Sequence, residues 1–175
     1  MIYEGKFYTK KKCYTKGRDS MKKKILKIIL TAVIVFAAYN AAWFAWSHVK
    51  YSKFTGGMKQ GDFSSFVTSR YVYTDADKYD YLVKYPDYLS FTGNMCVGCP
   101  SADEEIFTDA LIIWPKVRGG YSFGVLLYEN DTEYAVYIDF AGNALAKEEE
   151  AIVSRHSGNI KNLLLMADEK WDICD

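Results

Sequence analysis

The chain has 175 residues, half of them hydrophobic, a length that suits one globular domain plus an additional element. Its charges balance, 22 Lys/Arg against 22 Asp/Glu, but unevenly: residues 1–50 hold eleven Lys/Arg and two acids, residues 51–175 eleven and twenty. The acidic part lacks the clustered basic side chains that replace counterions on a phosphate backbone, which excludes nucleic-acid binding from its expected functions.

Residues 1–27 form a basic tail. Ten Lys/Arg precede Ile28, among them Lys22, Lys23, Lys24 and Lys27. Met21 followed by three lysines also has the look of a translation start, which makes residues 1–20 a candidate misassigned leader. Next comes "IILTAVIVFAAYNAAWFAW", residues 28–46, without one charged side chain. As a helix this run covers about 28 Å, close to the hydrocarbon thickness of a bilayer. Tyr39, Trp43 and Trp46 gather toward its C-terminal end, where amphipathic rings favour the membrane interface. The basic excess before the run predicts a cytoplasmic N-terminus and places all that follows outside the cell membrane. A competing expectation is a secreted domain released after Ser47, since "AWS" offers small residues at a cleavage site. The apolar stretch is longer than the 7–15 residues or so usual in a signal peptide.

Residues 47–61 read as a juxtamembrane linker and 62–175 as one extracytoplasmic domain. Over 62–73, Phe63, Phe66, Val67 and Tyr71 recur at helical intervals behind Asp62, which predicts a short helix. Residues 79–95 are rich in aromatic and branched side chains, and Pro86 divides them into two strands; a helix over 75–85 competes. Between 109 and 145, three strand-length runs are punctuated by Arg118-Gly119-Gly120, by Asn130-Asp131 and by Ala141-Gly142-Asn143. They predict an antiparallel meander. At the C-terminal end Ile152, His156, Ile160, Leu163, Leu164, Ala167 and Trp171 form one apolar stripe, with Glu148–Glu150 at its start and a break expected at Ser157-Gly158-Asn159. The fold class expected is α+β: a transmembrane helix, then a small antiparallel sheet of about four to five strands packed by a C-terminal amphipathic helix.

Chemistry-bearing residues are sparse. In "CVGCP" Cys96 and Cys99 are candidates for a disulfide in an oxidising compartment, with Cys174 as an alternative partner; Cys13 lies across the predicted membrane. A thiol–disulfide oxidoreductase is the rival reading, but such motifs need a helix N-terminus or a positive charge to favour the thiolate. Here acids follow at Asp103, Glu104 and Glu105. One CxxC supplies two metal ligands where structural zinc takes four, and no calcium-loop pattern or nucleophile elbow is visible. No metal or cofactor is expected. "NDT" at 130–132 matches a glycosylation acceptor, though a hairpin turn accounts for it. Aromatic residues remain: Tyr81, Tyr85, Tyr88, Trp114, Tyr128 and Tyr137 cannot all point inward from alternating strands, and exposed rings of this kind mark surfaces for proteins or sugars. The function expected is a membrane-anchored, non-enzymatic binding or accessory module of the cell envelope, its partner an envelope protein or glycan.

Overall fold

The computed structural model describes residues 10–61, 71–75, 80–98 and 108–173, with the backbone alone for 10–19. The chain divides into two compact units, one ending at Ala45 and the other beginning at Trp46.

Helix α1 spans Lys10–Ser52. Among the described residues it is the one helix long and apolar enough to cross a bilayer, and its apolar stretch is not buried within the chain. Ile28, Leu30, Ile34 and Phe36 are each more than half exposed. A helix apolar on all sides finds a matching solvent in lipid or in a protein core, and here no core covers it. Asn40, the polar residue inside the run, donates from Nδ2 to the Phe36 carbonyl at 2.7 Å. Its amide thereby finds a partner one turn back on its own helix.

The second unit is built on seven strands: β1 (Lys59–Gln60), β2 (Val72–Thr74), β3 (Tyr81–Lys84), β4 (Asn94–Val97), β5 (Ala110–Pro115), β6 (Tyr121–Glu129) and β7 (Thr132–Ile138). They form one antiparallel sheet in chain order. A short 3₁₀ turn (Lys147–Glu149), helix α2 (Glu150–Arg155) and helix α3 (Ser157–Trp171) follow. The three runs predicted at 109–145 are β5, β6 and β7, and Pro86 lies between β3 and β4 as expected. Strands β1 to β3 have two to four residues each, too short for alternation to appear in the sequence. That is why the sheet is wider than the four to five strands anticipated.

Register explains the core. Val83, Met95, Ile113, Phe123 and Ile138 face one another in a row across five strands. Tyr81, Val97, Leu111, Val125 and Val136 form the next row on the same face. Side chains two apart along a strand share a face, so the two rows make one apolar surface. Ile152 and Val153 of α2 and Ile160, Leu163, Ala167 and Trp171 of α3 complete this core. A single apolar helix stripe on a single apolar sheet face is the minimum that lets both be buried.

Three differences from expectation have local causes. Residues 47–61 are not a plain linker: Tyr51 and Phe54 are buried in the core, the Tyr51 hydroxyl accepts the Gly93 N–H at 2.8 Å, and Trp171 Nε1 donates to the Phe54 carbonyl at 2.9 Å. The helix expected over 62–73 lies mostly outside the described residues, but its end is strand β2, where pairing with β3 accompanies burial of Val72 and Thr74. The helical tail is interrupted at His156 rather than at 157–159. Gly158 sits within the first turn of α3, a position where its lack of side chain costs little.

Candidate binding surfaces

The sheet separates the predicted aromatic surface. Tyr85 is buried, with its ring 5.5 Å from Tyr51 and 5.3 Å from Tyr73. Tyr81 stands edge-on to Trp171 at 5.5 Å on the core face, where burial pushes its phenol pKa upward, assisted by nearby Asp80, Glu169 and Asp75. These two belong to the core side. Trp114, Tyr128 and Tyr137 occupy the opposite face, because they pair with Ser122, Glu133 and Gly124 in the alternate register. Gly124 permits the closest of these approaches: a Cβ there would lie 2.9 Å from the Trp114 ring. Trp114 thus lies over the strand and reaches Tyr137, their centroids 5.7 Å apart. Tyr128 bonds from its hydroxyl to Glu133 at 2.5 Å, and that hydrogen bond is the main cause raising its pKa. Tyr88 is exposed in the connection between β3 and β4. The six rings therefore form no single platform; Trp114 and Tyr137 are the pair brought together.

Of the rings expected at the membrane interface, Tyr39 is exposed on α1. Trp43 is buried and packs edge-on to Phe44 at 4.9 Å. Trp46 packs against Phe91 at 5.2 Å and carries the Lys50 ammonium over its ring. Cys96 is buried in β4, opposite Leu82 on one side and Ile112 on the other. Cys99 and Cys174, together with the acids at 103–105, lie outside the described residues. No group of three metal-ligating side chains occurs among the described residues.

Sequence reasoning missed one polar cluster. His156, expected as part of the apolar helix stripe, places Nδ1 2.7 Å from Asp109 Oδ2. Asn159 donates to the same oxygen at 3.0 Å, and the Tyr128 N–H donates to Oδ1 at 3.0 Å. Burial alone would raise the Asp109 pKa; the hydrogen bonds from Asn159, His156 and Tyr128 outweigh it and hold the carboxyl below its usual range. Only the spacing of His156 and Asn159 on one helical face hinted at this, and nothing in the sequence pointed to Asp109, 47 residues before His156. With both oxygens of Asp109 engaged, the cluster pins the α2–α3 junction to the sheet.

A second feature lies at β7. Asn130 and Asp131 both have left-handed backbones, with φ 52° and 59°, forming a two-residue hairpin turn. Such a turn closes on a hydrogen-bonded pair, here Glu129 and Thr132, so the ladder bonds recur at Tyr134, Val136 and Ile138. Glu133, Ala135 and Tyr137 consequently direct their backbone groups away from β6. The returning chain occupies part of that edge: the Leu145 N–H donates to the Tyr137 carbonyl at 2.9 Å, and the Asp139 N–H to the Asn143 carbonyl at 2.8 Å. Beside the remainder runs a groove of about 430 Å³, walled by β7 on one side and by the 3₁₀ turn and α2 on the other. Arg155 at its end is held by Glu129 through two bonds of 2.9 and 2.7 Å. A comparable hollow of about 450 Å³ lies between the 141–144 loop and α2, with Glu150 and Lys161 on its walls.

Comparison with protein families, with curated proteins and with solved structures returns no match for this chain.

Proposed function

We propose that this protein is a single-pass membrane protein with its N-terminus in the cytoplasm, carrying an extracytoplasmic α+β domain that works as a non-enzymatic binding or accessory module. The observation that carries the reading is α1: its apolar stretch is unburied, and ten basic residues precede Ile28. Release by cleavage after Ser47 fits less well, because Ser47 is helical and buried, whereas a protease needs an extended, accessible segment. A binding role is supported by what the described surfaces contain: an aromatic pair at Trp114 and Tyr137 and an open strand edge.

We read Cys96 as half of a structural staple with Cys99 or Cys174. Its burial in a strand supports this, since an attacking thiol has to be reachable by its substrate.

The membrane reading is tested by washing membranes from expressing cells at high pH. Retention of the full-length chain in the pellet is expected; release into the supernatant overturns the anchor.

A further inference from the structure

The geometry points to the open edge of β7 as a docking site for an extended, basic peptide strand. This rests on the reading of the domain as a binding module, but not on its anchorage.

Three observations converge. First, the edge is chemically unfinished. Glu133 and Ala135 turn their N–H and C=O groups outward by register, and among the described residues no bond reaches them. The same edge is already extended lower down by Asn143–Leu145, whose two bonds show that it accepts an antiparallel chain. An incoming strand would continue that line, and exposed edges of this kind are the usual templates for strand addition.

Second, the edge is not bare. A groove of about 430 Å³ borders it, with Val136 and Ile152 among its lining residues. Alternate side chains of a docked strand would enter this groove while the others face solvent. Third, its charge is one-sided. Glu148 and Glu149 line it, while the guanidinium of Arg155 is engaged by Glu129; the Glu133 carboxylate turns to the opposite sheet face, onto Tyr128. A strand carrying Lys or Arg on the groove side complements this wall. A second copy of the chain does not: pairing β7 with β7 would bring two acidic walls together, which costs free energy.

The test uses the full chain in detergent micelles and a fluorescently labelled eight-residue peptide of alternating lysine and valine, followed by polarisation. Binding is expected, about tenfold or more weaker when alternate peptide nitrogens are methylated, since each methyl removes a ladder bond. Ala135→Pro should weaken it similarly; its N–H is outside the β6–β7 ladder, so the fold tolerates proline there. Glu148→Gln combined with Glu149→Gln, which leaves the backbone untouched, should also weaken it and flatten its salt dependence. Hydrogen exchange should slow at Ala135 when peptide is added. No binding overturns the assignment. So does binding indifferent to N-methylation with no protection at Ala135, which would mean charge attraction alone, or self-association through β7 that the peptide does not compete away. None of these outcomes bears on high-pH extraction, so the anchor stands or falls separately.

Discussion

His156 and Asp109 meet at 2.7 Å across the boundary between the two C-terminal helices and the sheet. The imidazole side chain is 14% exposed and the carboxylate 8%, so this contact is made away from bulk solvent, where an unsatisfied partner is costly. It fixes where α2 ends and α3 begins. The helical periodicity of the tail continues through this point, but the chain halts at His156, whose side chain reaches back to the residue preceding β5.

Removing the acceptor should therefore loosen the helices more than an ordinary surface change. Asp109→Ala leaves the Tyr128 N–H, His156 and Asn159 without their acceptor and is expected to cost about 2–3 kcal/mol. Urea unfolding of the variant beside the parent measures this. A change below about 0.5 kcal/mol, the usual range for a surface substitution, contradicts the bracing role.

The same carboxylate predicts an acid sensitivity. Because its hydrogen bonds hold its folded pKa below the ordinary aspartate value, Asp109 contributes stability that is fully present above that ordinary value. The contribution is lost as pH falls through the lower folded value. Melting temperature followed downward from pH 5 should drop in the parent, and less steeply in Asp109→Ala. Parallel curves would assign the acid loss to other groups.

Gly93 and Gly124 should respond differently to alanine. At Gly93 a Cβ would lie 2.2 Å from the Lys84 carbonyl oxygen and 2.9 Å from the Pro86 nitrogen, backbone atoms on two sides. At Gly124 the nearest obstacle is the Trp114 ring at 2.9 Å, a side chain that can turn. Gly93→Ala is expected to cost upward of about 3 kcal/mol and Gly124→Ala about 1–2. The second should also change the Trp114 fluorescence. The reverse order in a denaturant series would contradict the packing described.

Tyr51→Phe removes the acceptor of the buried Gly93 N–H, a bond of 2.8 Å. The expected loss is about 1–3 kcal/mol, although the ring stays in place. Thermal unfolding of the detergent-solubilised chain reads it directly. No change in melting temperature would mean that the end of α1 is not integral to the fold of the domain.

How much of this could be seen in the sequence depends on how locally each feature is encoded. The long strands β5 to β7 and the apolar helix stripe repeat their pattern over enough residues to be legible, as does the uncharged run at 28–46. The short strands do not, and Tyr51 and Phe54 looked like linker because their partners, Gly93 and Trp171, are far along the chain. The aromatic surface failed to assemble for a related reason. Composition shows that rings are plentiful, but register decides their side of the sheet, placing Tyr81 and Tyr85 on one face and Trp114 and Tyr137 on the other. The Asp109 cluster and the open edge of β7 are properties of pairing, and pairing is not written in any single segment.

Whether α1 crosses a membrane is tested most directly by one labelling measurement. Intact cells expressing the chain are treated with a membrane-impermeant amine reagent, and modified lysines are mapped by mass spectrometry before and after permeabilisation. Lys59, Lys116, Lys147 and Lys161, all exposed on the domain, should be modified in intact cells, while Lys22, Lys23, Lys24 and Lys27 react only once the membrane is opened. Labelling of both sets together, or of the N-terminal set alone, in intact cells would contradict it.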